Sequence, residues 1–520
     1  MTNLETTRRR PARTAPVRWI LAILLTLPAT AGAATVPISG ASPYPDGGDP
    51  TDPVAVTACN ARPQLGHLYR NSESEPHLAV NPTAPDNLVA AWHQDRWSNG
   101  GAQGNLMAYS TDGGATWTPV SVPFSRCAGG ATGSTGDFER ASDPWLSFGP
   151  DGTLYSMALV FDQSNARNGM TVASSLDGGA TWSEPVVIKE LRADGGDSPN
   201  IVQIHDKNTM TADPFDPDLV YATWTLFRNG NYAVLFSRST DGGKTWGPAR
   251  PVNARDVVDP PQAATFRQDV QIVVLPDGTL VNAFFRTVDD PREGGATQRI
   301  EMAIFRSPDQ GLHWERLDTV VSMVQPTVGF DIELGIFVRG GGNFPDLTVD
   351  PLSGDLYMVW QDGSLSPFGL SNVVISKSED GGDTWSDPVP VTNQPFPGAF
   401  LPAAAVAEDG TVGVLFYDFR NDVFGDAELT TDVYVRTLSP DLTLLGEERL
   451  TDTSFDTRQM VIAGGYFPGD YVGFEAVGND FVAAFTVSNP LGLPVVIPDD
   501  TVLGVDTFDR QDIVFARVDR

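Results

Sequence analysis

The sequence predicts an all-β propeller of about seven four-stranded blades, with a six-bladed ring as the alternative. Two observations support this fold class. A turn motif with the pattern Ser-x-Asp-Gly-Gly-x-Thr-Trp recurs along the chain, and short segments with alternating apolar and polar residues occur at similar intervals. Repeats at a regular interval indicate stacked units, each of which buries its apolar faces against its neighbours.

The turn motif has five copies. Their aspartates are Asp112, Asp177, Asp241, Asp309 and Asp380, which lie 64 to 71 residues apart. A shorter sixth copy at 439–441 lacks the tryptophan. The Asp and Ser side chains can bond backbone groups of a tight turn, glycine adopts positive φ, and tryptophan buries a large apolar face. We therefore expect the motif to stabilise the fold and not to contact a substrate.

The alternating segments supply the predicted strands. The second strands of the blades are 87–92, 153–159, 219–225, 279–285, 355–360, 411–417 and 481–487. A further strand precedes each of them, and the last predicted strand, 512–517, runs into the C-terminus. The seventh blade then lacks its fourth strand. We predict that an N-terminal strand near 54–59 completes it, because a closed ring has no exposed sheet edges.

The N-terminus has the pattern of an export signal. A basic stretch at 8–18 precedes an apolar run at 19–27, and Ala31-Gly32-Ala33 fits a cleavage site. The predicted organisation is a signal peptide over residues 1–33, an N-terminal linker over 34–53 and a single propeller domain over 54–520. We expect a secreted or periplasmic protein. In an oxidising compartment Cys59 and Cys127 are either bonded to each other or free.

The charge restricts the partners. The net charge is −32, which repels nucleic acid and anionic lipid. No apolar run after the N-terminus approaches the roughly 18 residues that a membrane span needs. The expected partner is a glycan or another small-molecule or polymeric substrate, and we expect a monomer.

Acidic residues lie at the starts of the predicted inner strands. They are Glu75, Asp143, Asp206, Asp269, Asp346 and Asp470. Equivalent positions of a propeller are neighbours around its axis, and the long connections at 124–142, 188–206, 322–345 and 488–511 lead to the same face. Carboxylates that lie close together there repel one another, so they must be hydrogen-bonded by backbone amides, neutralised by a cation or protonated.

Three interpretations of this acidic mouth remain open. The carboxylates cap backbone amides, or include catalytic groups, or hold a structural Ca²⁺ through Asp206, Asp269, Asp346 and Asp470. No cofactor is required for the first two.

The Ser-x-Asp-Gly-Gly-x-Thr-Trp motif resembles the Asp box, or BNR repeat, of the sialidase superfamily, from about residue 70 to the C-terminus. The resemblance implies a propeller whose Asp boxes lie on the face away from the active site. It also implies a glycoside hydrolase that uses arginines, a Tyr–Glu pair and an acidic proton donor. The Phe-Arg-Ile-Pro signature of that superfamily is replaced here by Ser74-Glu75-Pro76-His77.

Two sets of residues are candidates for a site on the long-loop face. The catalytic candidates are Asp95, Glu75, Asp143 and Tyr471. The substrate-binding candidates are Arg96, Arg140, Arg267, Arg286, Arg420 and Trp97, because guanidinium groups suit carboxylates and an indole ring suits a sugar face. Two functions remain open. One is a secreted, sialidase-like glycoside hydrolase with a carboxylate pair, and the other is a non-catalytic propeller that binds glycan or protein through the same face.

Overall fold

The computed structural model describes residues 35–44, 59, 64–164, 166–192, 203–229, 231–252, 264–289, 298–316, 318–393 and 398–520. Within these residues the structure is all-β apart from one 3₁₀ turn at Thr457–Gln459, and the predicted fold class is confirmed. The predicted signal peptide lies outside the described residues. No helix in the described part of the chain is long and apolar enough to cross a lipid bilayer.

The strands pair into seven antiparallel four-stranded units among the described residues, which we number as blades in chain order. The inner strands are Gly66–Val80, Arg140–Phe148, Gln203–Ala212, Ala264–Val274, Asp346–Val349, Ala399–Val406 and Gly473–Val477. The second strands are Leu88–Trp97, Leu154–Phe161, Val220–Arg228, Leu280–Asp289, Leu356–Asp362, Val412–Asp418 and Asp480–Ser488. The third strands are Ala102–Ser110, Arg167–Ser175, Asn231–Ser239, Gln298–Ser307, Asn372–Ser378, Thr430–Leu438 and Gln511–Val518. The outer strands are Thr118–Ser121, Val186–Arg192, Arg250–Pro251, Thr319–Val324, Val389–Pro390, Leu444–Arg449 and Val36–Pro37.

Short strands outside the four-stranded units occur at three places among the described residues. Gly329–Asp331 and Ile336–Val338 form a separate hairpin between blades 4 and 5. Phe455–Asp456 pairs with the third strand of blade 6. Leu503–Asp506 runs parallel to the start of the first inner strand, so the long 488–511 connection covers the end of the sheets where that strand begins.

The inner strands contact one another in cyclic order, and the last, Gly473–Val477, contacts the first, Gly66–Val80. Apolar side chains fill the space between adjacent sheets. Between blades 7 and 1, for example, Trp92 packs in one cluster with Val482 and Phe515. The second strand Leu88–Trp97 is buried along its whole length because its blade has a neighbour on both faces.

The N-terminal strand Val36–Pro37 pairs with Gln511–Val518 and completes blade 7. This closing strand lies earlier in the chain than the predicted one near 54–59, of which only Cys59 is among the described residues, in a turn. Residues 36 and 37 therefore belong to the propeller and not to a linker. Cys59 forms a disulfide with Cys127, with the two Cα atoms 5.1 Å apart.

Each Asp box joins the third strand of a blade to its outer strand. In the second box, Ser175 Oγ donates to Asp177 Oδ1 at 2.8 Å and accepts from the Gly179 amide at 2.9 Å, while the Thr181 amide donates to Asp177 Oδ1 at 2.8 Å. Gly179 has a φ of +96°, and a Cβ there would lie 2.9 Å from Val89 in the preceding blade. The box thus fixes its turn and allows close contact with the neighbouring sheet.

By strand register, the boxes lie at the end of the sheets where the inner strands finish. In blade 1, for example, Ser110 of the box pairs with Leu88, which in turn pairs with Val80 at the end of the inner strand. The inner-strand starts lie at the opposite end, so the boxes are remote from the mouth, as the resemblance implied.

We predict that the closing segment contributes strongly to stability. Ile38, which follows the closing strand, is 6% exposed and packs with Leu78 and Trp92. Ile38→Ala should lower the free energy of unfolding by about 2–5 kcal/mol, because it removes a buried side chain at the seam of the ring. Chemical denaturation measures the effect, and the exposed Ile497→Ala serves as a control that should leave stability unchanged. Equal stability of the two variants would contradict the closing role.

A second prediction concerns the Asp boxes. Hydrogen bonds from Thr181 and Ser175 lower the pKa of Asp177, so the carboxylate is a structural acceptor. Asp177→Ala should lower the free energy of unfolding by about 1–2 kcal/mol and leave any activity per folded molecule unchanged. Exposed Glu184 in the same blade provides the control substitution Glu184→Ala. Lost activity with unchanged stability would show that the boxes reach the site.

Candidate functional site

A two-residue bulge interrupts the start of several inner strands. The register shifts after Ser74, Ser142 and Asp206 in blades 1, 2 and 3, and similar shifts occur in blades 4 and 6. In the first three blades the first bulge residue has positive φ, namely 55° at Glu75, 47° at Asp143 and 51° at Lys207. Bulges redirect side chains, and here they gather these three at the axis.

Lys207 lies at the centre of the acidic mouth. Its ammonium nitrogen is 2.6 Å from Asp470 Oδ2, 3.7 Å from Glu75 Oε1 and 3.7 Å from Asp143 Oδ1. Burial alone would lower the pKa of Lys207, but the carboxylates of Asp470, Asp143 and Glu75 raise it well above its usual value. The lysine is therefore charged and compensates the acidic residues around it.

Arg339 supplies a second cation. It extends from the hairpin between blades 4 and 5, and its Nε and Nη2 donate to the two oxygens of Asp470 at 3.1 and 2.6 Å. Burial would raise the pKa of Asp470, but Arg339 and Lys207 hold it well below its usual range. Asp470 is thus a fixed anion between two cations.

Glu75 and Asp143 share contacts with His93. The Asp143 amide donates to His93 Nε2 at 2.9 Å. Because an amide N–H can only donate, Nε2 carries no proton and the ring is neutral, in agreement with burial, which holds the pKa of His93 well below its usual value. Glu75 Oε2 lies 3.0 Å from the same nitrogen, so a protonated Glu75 can donate to it. Burial, opposed by Lys207, raises the pKa of Glu75 to about 8.

A cavity of about 580 Å³ opens beside these groups and is lined by the three bulge residues. Arg96 and Arg339 also line it, and they stack on the ring of Phe467, with guanidinium carbons 4.7 and 4.5 Å from its centroid. Burial lowers the pKa of Arg96 to about 10. The cavity therefore combines paired charges with a protonated carboxyl group.

The structure brings four of the six predicted acidic residues together around Lys207: Glu75, Asp143, Asp206 and Asp470. Asp206 accepts from the Lys207 amide at 3.0 Å, and burial raises its pKa to about 6. The bulge position in blade 3 belongs to Lys207 and not to Asp206, so the predicted equivalence was off by one residue.

Of the other two predicted acidic residues, Asp346 is not part of this cluster. Asp346 accepts from the Ala404 amide at 2.7 Å and from Gln271 Nε2 at 3.2 Å. Together with Glu475 it lines a second cavity, between the inner strands, which we call the central channel. The side chain of Asp269 lies outside the described residues. Asp346 is therefore not brought together with Asp206 and Asp470 as a metal set, and at Asp470 the two cationic side chains take the place of an ion.

The predicted catalytic residues Asp95 and Tyr471 lie apart from the cavity. Asp95 is fully buried and accepts from the Asn71 amide, Ser42 Oγ and Gln103 Nε2 at 2.7 to 2.9 Å. These bonds make it a structural acceptor, and it does not line the cavity. Tyr471 lines the central channel, with its ring 5.6 Å from that of Trp145.

Arg140 and Trp97 form a structural pair. The Arg140 guanidinium lies 4.2 Å from the Trp97 ring centroid and donates to Gln64, Asn99 and two backbone carbonyls. Both side chains are fully buried, so Trp97 does not form a rim for sugar stacking.

The remaining predicted arginines are also engaged in ion pairs. Arg267 and Arg286 both pair with Asp318 in blade 4, and Arg420 pairs with Asp418 at 2.6 Å and with Glu447. None of these arginines lines the cavity. Of the predicted binding residues, only Arg96 does.

Sequence reasoning missed Lys207, His93 and Arg339. Lys207 could have been found by aligning Asp206-Lys207-Asn208 with Ser74-Glu75-Pro76 and Ser142-Asp143-Pro144, since each triplet precedes a strand at the same bulge. Arg339 lies in a long connection outside the repeating strands, so no repeat signal marks it.

Fold and site together define a β-propeller with Asp-box repeats and a charged axial cavity. Residues 108–119 match the family model for the BNR/Asp-box repeat. Over 462 residues the chain is 25% identical to a sialidase of Micromonospora viridifaciens, a match that covers 74% of this chain and 65% of that protein. The chain thus spans slightly less than two thirds of this relative. The resemblance to the sialidase superfamily inferred from the Asp boxes is confirmed.

Solved structures with similar folds include two classes of enzyme. An α-L-arabinofuranosidase of Fusarium graminearum is 13% identical with a TM-score of 0.46, over 79% of this chain and 99% of that chain. A Hadza microbial sialidase is 16% identical with a TM-score of 0.43, over 84% and 74% of the two chains.

We predict that Lys207 is required for stability at neutral pH. Lys207→Met should lower the free energy of unfolding by about 3–5 kcal/mol, because it removes the buried ammonium that Asp470, Glu75 and Asp143 share and leaves only Asp470 with a cationic partner, Arg339. The deficit should be smaller at pH 4 than at pH 8, because carboxyl groups that carry a proton need no counter-charge. Denaturant unfolding from pH 4 to 8 measures this, with exposed Lys244→Met as the control. A deficit independent of pH would contradict the compensating role.

Proposed function

We propose that the protein is a glycoside hydrolase whose active site is the axial cavity, with Glu75 as proton donor and Asp143 as the second carboxylate. One observation carries the proposal. A carboxyl oxygen of Glu75 and one of Asp143 lie within 4.8 Å of each other, on adjacent inner strands that line the same cavity. Carboxyl groups about 5–5.5 Å apart are typical of retaining glycosidases, whereas inverting enzymes have about 6.5–9.5 Å.

The reaction follows from this spacing. Glu75 gives its proton to the leaving glycosidic oxygen while Asp143 attacks the anomeric carbon, so the glycosidic C–O bond breaks as the C–O bond to Asp143 forms. The Glu75 carboxylate then takes a proton from water, which displaces Asp143 from the sugar. Hydrolysis regenerates both groups.

The surrounding charges suit these roles. Glu75 has a pKa of about 8, so it holds a proton at neutral pH, and neutral His93 accepts from it without competing as an acid. Lys207 lies 3.7 Å from both carboxyl groups and stabilises the negative charge on Glu75 after proton transfer.

The charge balance favours an uncharged sugar. The arginines that line the cavity already have partners: Arg96 donates to the Trp97 and Gly101 carbonyls, and Arg339 donates to Asp470. Arg167 pairs with Asp162. A sialic acid carboxylate would have to displace these bonds, so we infer a neutral glycoside as the substrate.

We also propose that the protein acts outside the cytoplasm. The disulfide between Cys59 and Cys127 supports this, because such bonds persist in oxidising compartments, and it agrees with the predicted signal peptide.

The second candidate function is a non-catalytic propeller that binds glycan or protein through the same face. The burial of Glu75 and Asp143, which are 1% and 2% exposed, favours it, since groups this buried also serve as structural ion pairs.

Purified protein should be assayed against neutral aryl pyranosides, neutral aryl furanosides and an aryl sialoside. Release of the aryl group from a neutral substrate supports the enzyme, and release from the sialoside alone contradicts the proposed substrate class. Glycan binding without turnover supports the second candidate.

The pH dependence tests the roles of the two carboxyl groups. With a hydrolysed substrate, kcat/KM should fall as the pH rises through about 8, because Glu75 then loses the proton that it must donate. Glu75→Gln should lower kcat by about 10²–10⁴-fold, least for aryl leaving groups that need no proton. Asp143→Asn should prevent formation of the covalent intermediate, which mass spectrometry of the trapped wild-type protein detects. Asp177→Asn, remote from the cavity, is the matched control, and an unchanged alkaline limb in Glu75→Gln would exclude Glu75 as the acid.

A further inference from the structure

A second cluster of carboxylates lies at the seam of the ring, apart from the axial cavity. It consists of Glu73 on the first inner strand, Asp509 just before the last strand, and Asp512 within that strand. One oxygen from each residue lies within 4.8 Å of the others. Ser39, which follows the closing strand, donates its hydroxyl to Asp512 Oδ1 at 2.9 Å. The cluster therefore joins both ends of the domain.

Glu73 is the most constrained member. Its side chain is fully buried, and Oε1 accepts from Gln94 Nε2 at 2.5 Å. Its second oxygen, Oε2, is buried and has no hydrogen-bond partner among the described residues. A buried carboxylate oxygen without a donor is costly, so this atom indicates a ligand that the protein alone does not supply.

No cationic side chain compensates this cluster. Within the described residues, no Lys, Arg or His nitrogen forms an ion pair with Glu73, Asp509 or Asp512. Arg510, although adjacent in sequence, turns away and donates to Asp506 at 2.6 Å. Asp470 differs from these three residues because it is paired with two cations, Lys207 and Arg339.

The electrostatics agree with this description. Burial, followed by the charges of Asp512 and Asp509, raises the pKa of Glu73 well above its usual value. Burial and Asp512 raise the pKa of Asp509 to about 6. Without a cation, the adjacent carboxyl groups repel one another, and Glu73 and Asp509 hold their protons more tightly.

We propose that Glu73, Asp509 and Asp512 bind a Ca²⁺ ion at the seam of the ring. Calcium takes oxygen ligands at about 2.3–2.6 Å, so ligands on opposite sides of one ion are about 5 Å apart. Oxygens within 4.8 Å of one another fit that sphere, whereas Mg²⁺ requires shorter bonds of about 2.0–2.1 Å and a stricter geometry. Asp509 and Asp512 are only partly buried, which leaves a side open for water ligands.

The ion would hold together three segments that are distant in sequence. Glu73 belongs to blade 1, Asp512 belongs to blade 7, and Ser39 connects Asp512 to the N-terminal segment. A Ca²⁺ ion that binds only the closed ring stabilises it by mass action.

The experiment compares thermal unfolding of the purified protein in excess EDTA and in millimolar CaCl₂. The wild-type Tm should be higher with calcium by about 2 °C or more. Glu73→Gln, which keeps the shape of the side chain, and Asp512→Asn should remove that shift, and Glu73→Gln should remain folded in EDTA because the charge is gone. Asp143→Asn in the axial cavity is the matched control and should keep the shift.

Terbium provides a direct binding readout. Trp92 Nε1 donates to Gln94, which donates to Glu73, so excitation of the indole should sensitise Tb³⁺ bound at this cluster. The luminescence should be displaced by Ca²⁺ and be absent from Glu73→Gln. A wild-type Tm that does not respond to calcium would overturn the proposal, as would a shift that Glu73→Gln and Asp512→Asn both retain.

Discussion

Seven inner strands begin around one axis, and this convergence forces charged side chains into contact with one another. A carboxylate that would be solvated at the end of an isolated sheet lies here within a few ångströms of two or three others. The structure resolves the conflict with one lysine, Lys207, whose ammonium reaches three carboxyl groups, and with Arg339, which pairs with both oxygens of Asp470. The positions of the charged side chains, their protonation states and the entry of a ligand into the cavity all depend on this compensation.

The same constraint divides the acidic residues by function. Asp470 lies between two cations and is a fixed anion, whereas Glu75 faces a neutral imidazole and retains a proton. Two carboxyl groups at neighbouring points of one axis thus have opposite ionisation, and Glu75, the proposed proton donor, is the one that retains its proton. At the seam of the ring, the second cluster of carboxylates has no such cations among the described residues.

The fold could be predicted from sequence because its signals are local and repeated. Each Asp box contains its own hydrogen-bond partners within a few residues, so the spacing of the boxes revealed the blades. The site is different, because its contacts join residues far apart in the chain, such as Lys207 with Asp470. Glu75 and Asp143 were found through their repeat positions. The arginines were misassigned because burial and stacking, as for Arg140 on Trp97, consume guanidinium groups in ways that spacing does not reveal. The closing strand was predicted at the wrong position because Val36–Pro37 has only two residues, too few to show an alternating pattern.

The pairing of Val36–Pro37 with Gln511–Val518 also has a kinetic consequence. Most contacts in a blade join residues close in sequence and form quickly, whereas this pairing joins residues nearly five hundred positions apart and has the largest loop-closure entropy of the strand pairings among the described residues. The blades can therefore assemble early into an open arc whose terminal sheets expose unpaired edges and apolar faces. Closure is then the slow step of folding, and association between open arcs is its main competitor. Dilution should favour the closed ring, and crowded refolding should favour aggregates joined edge to edge.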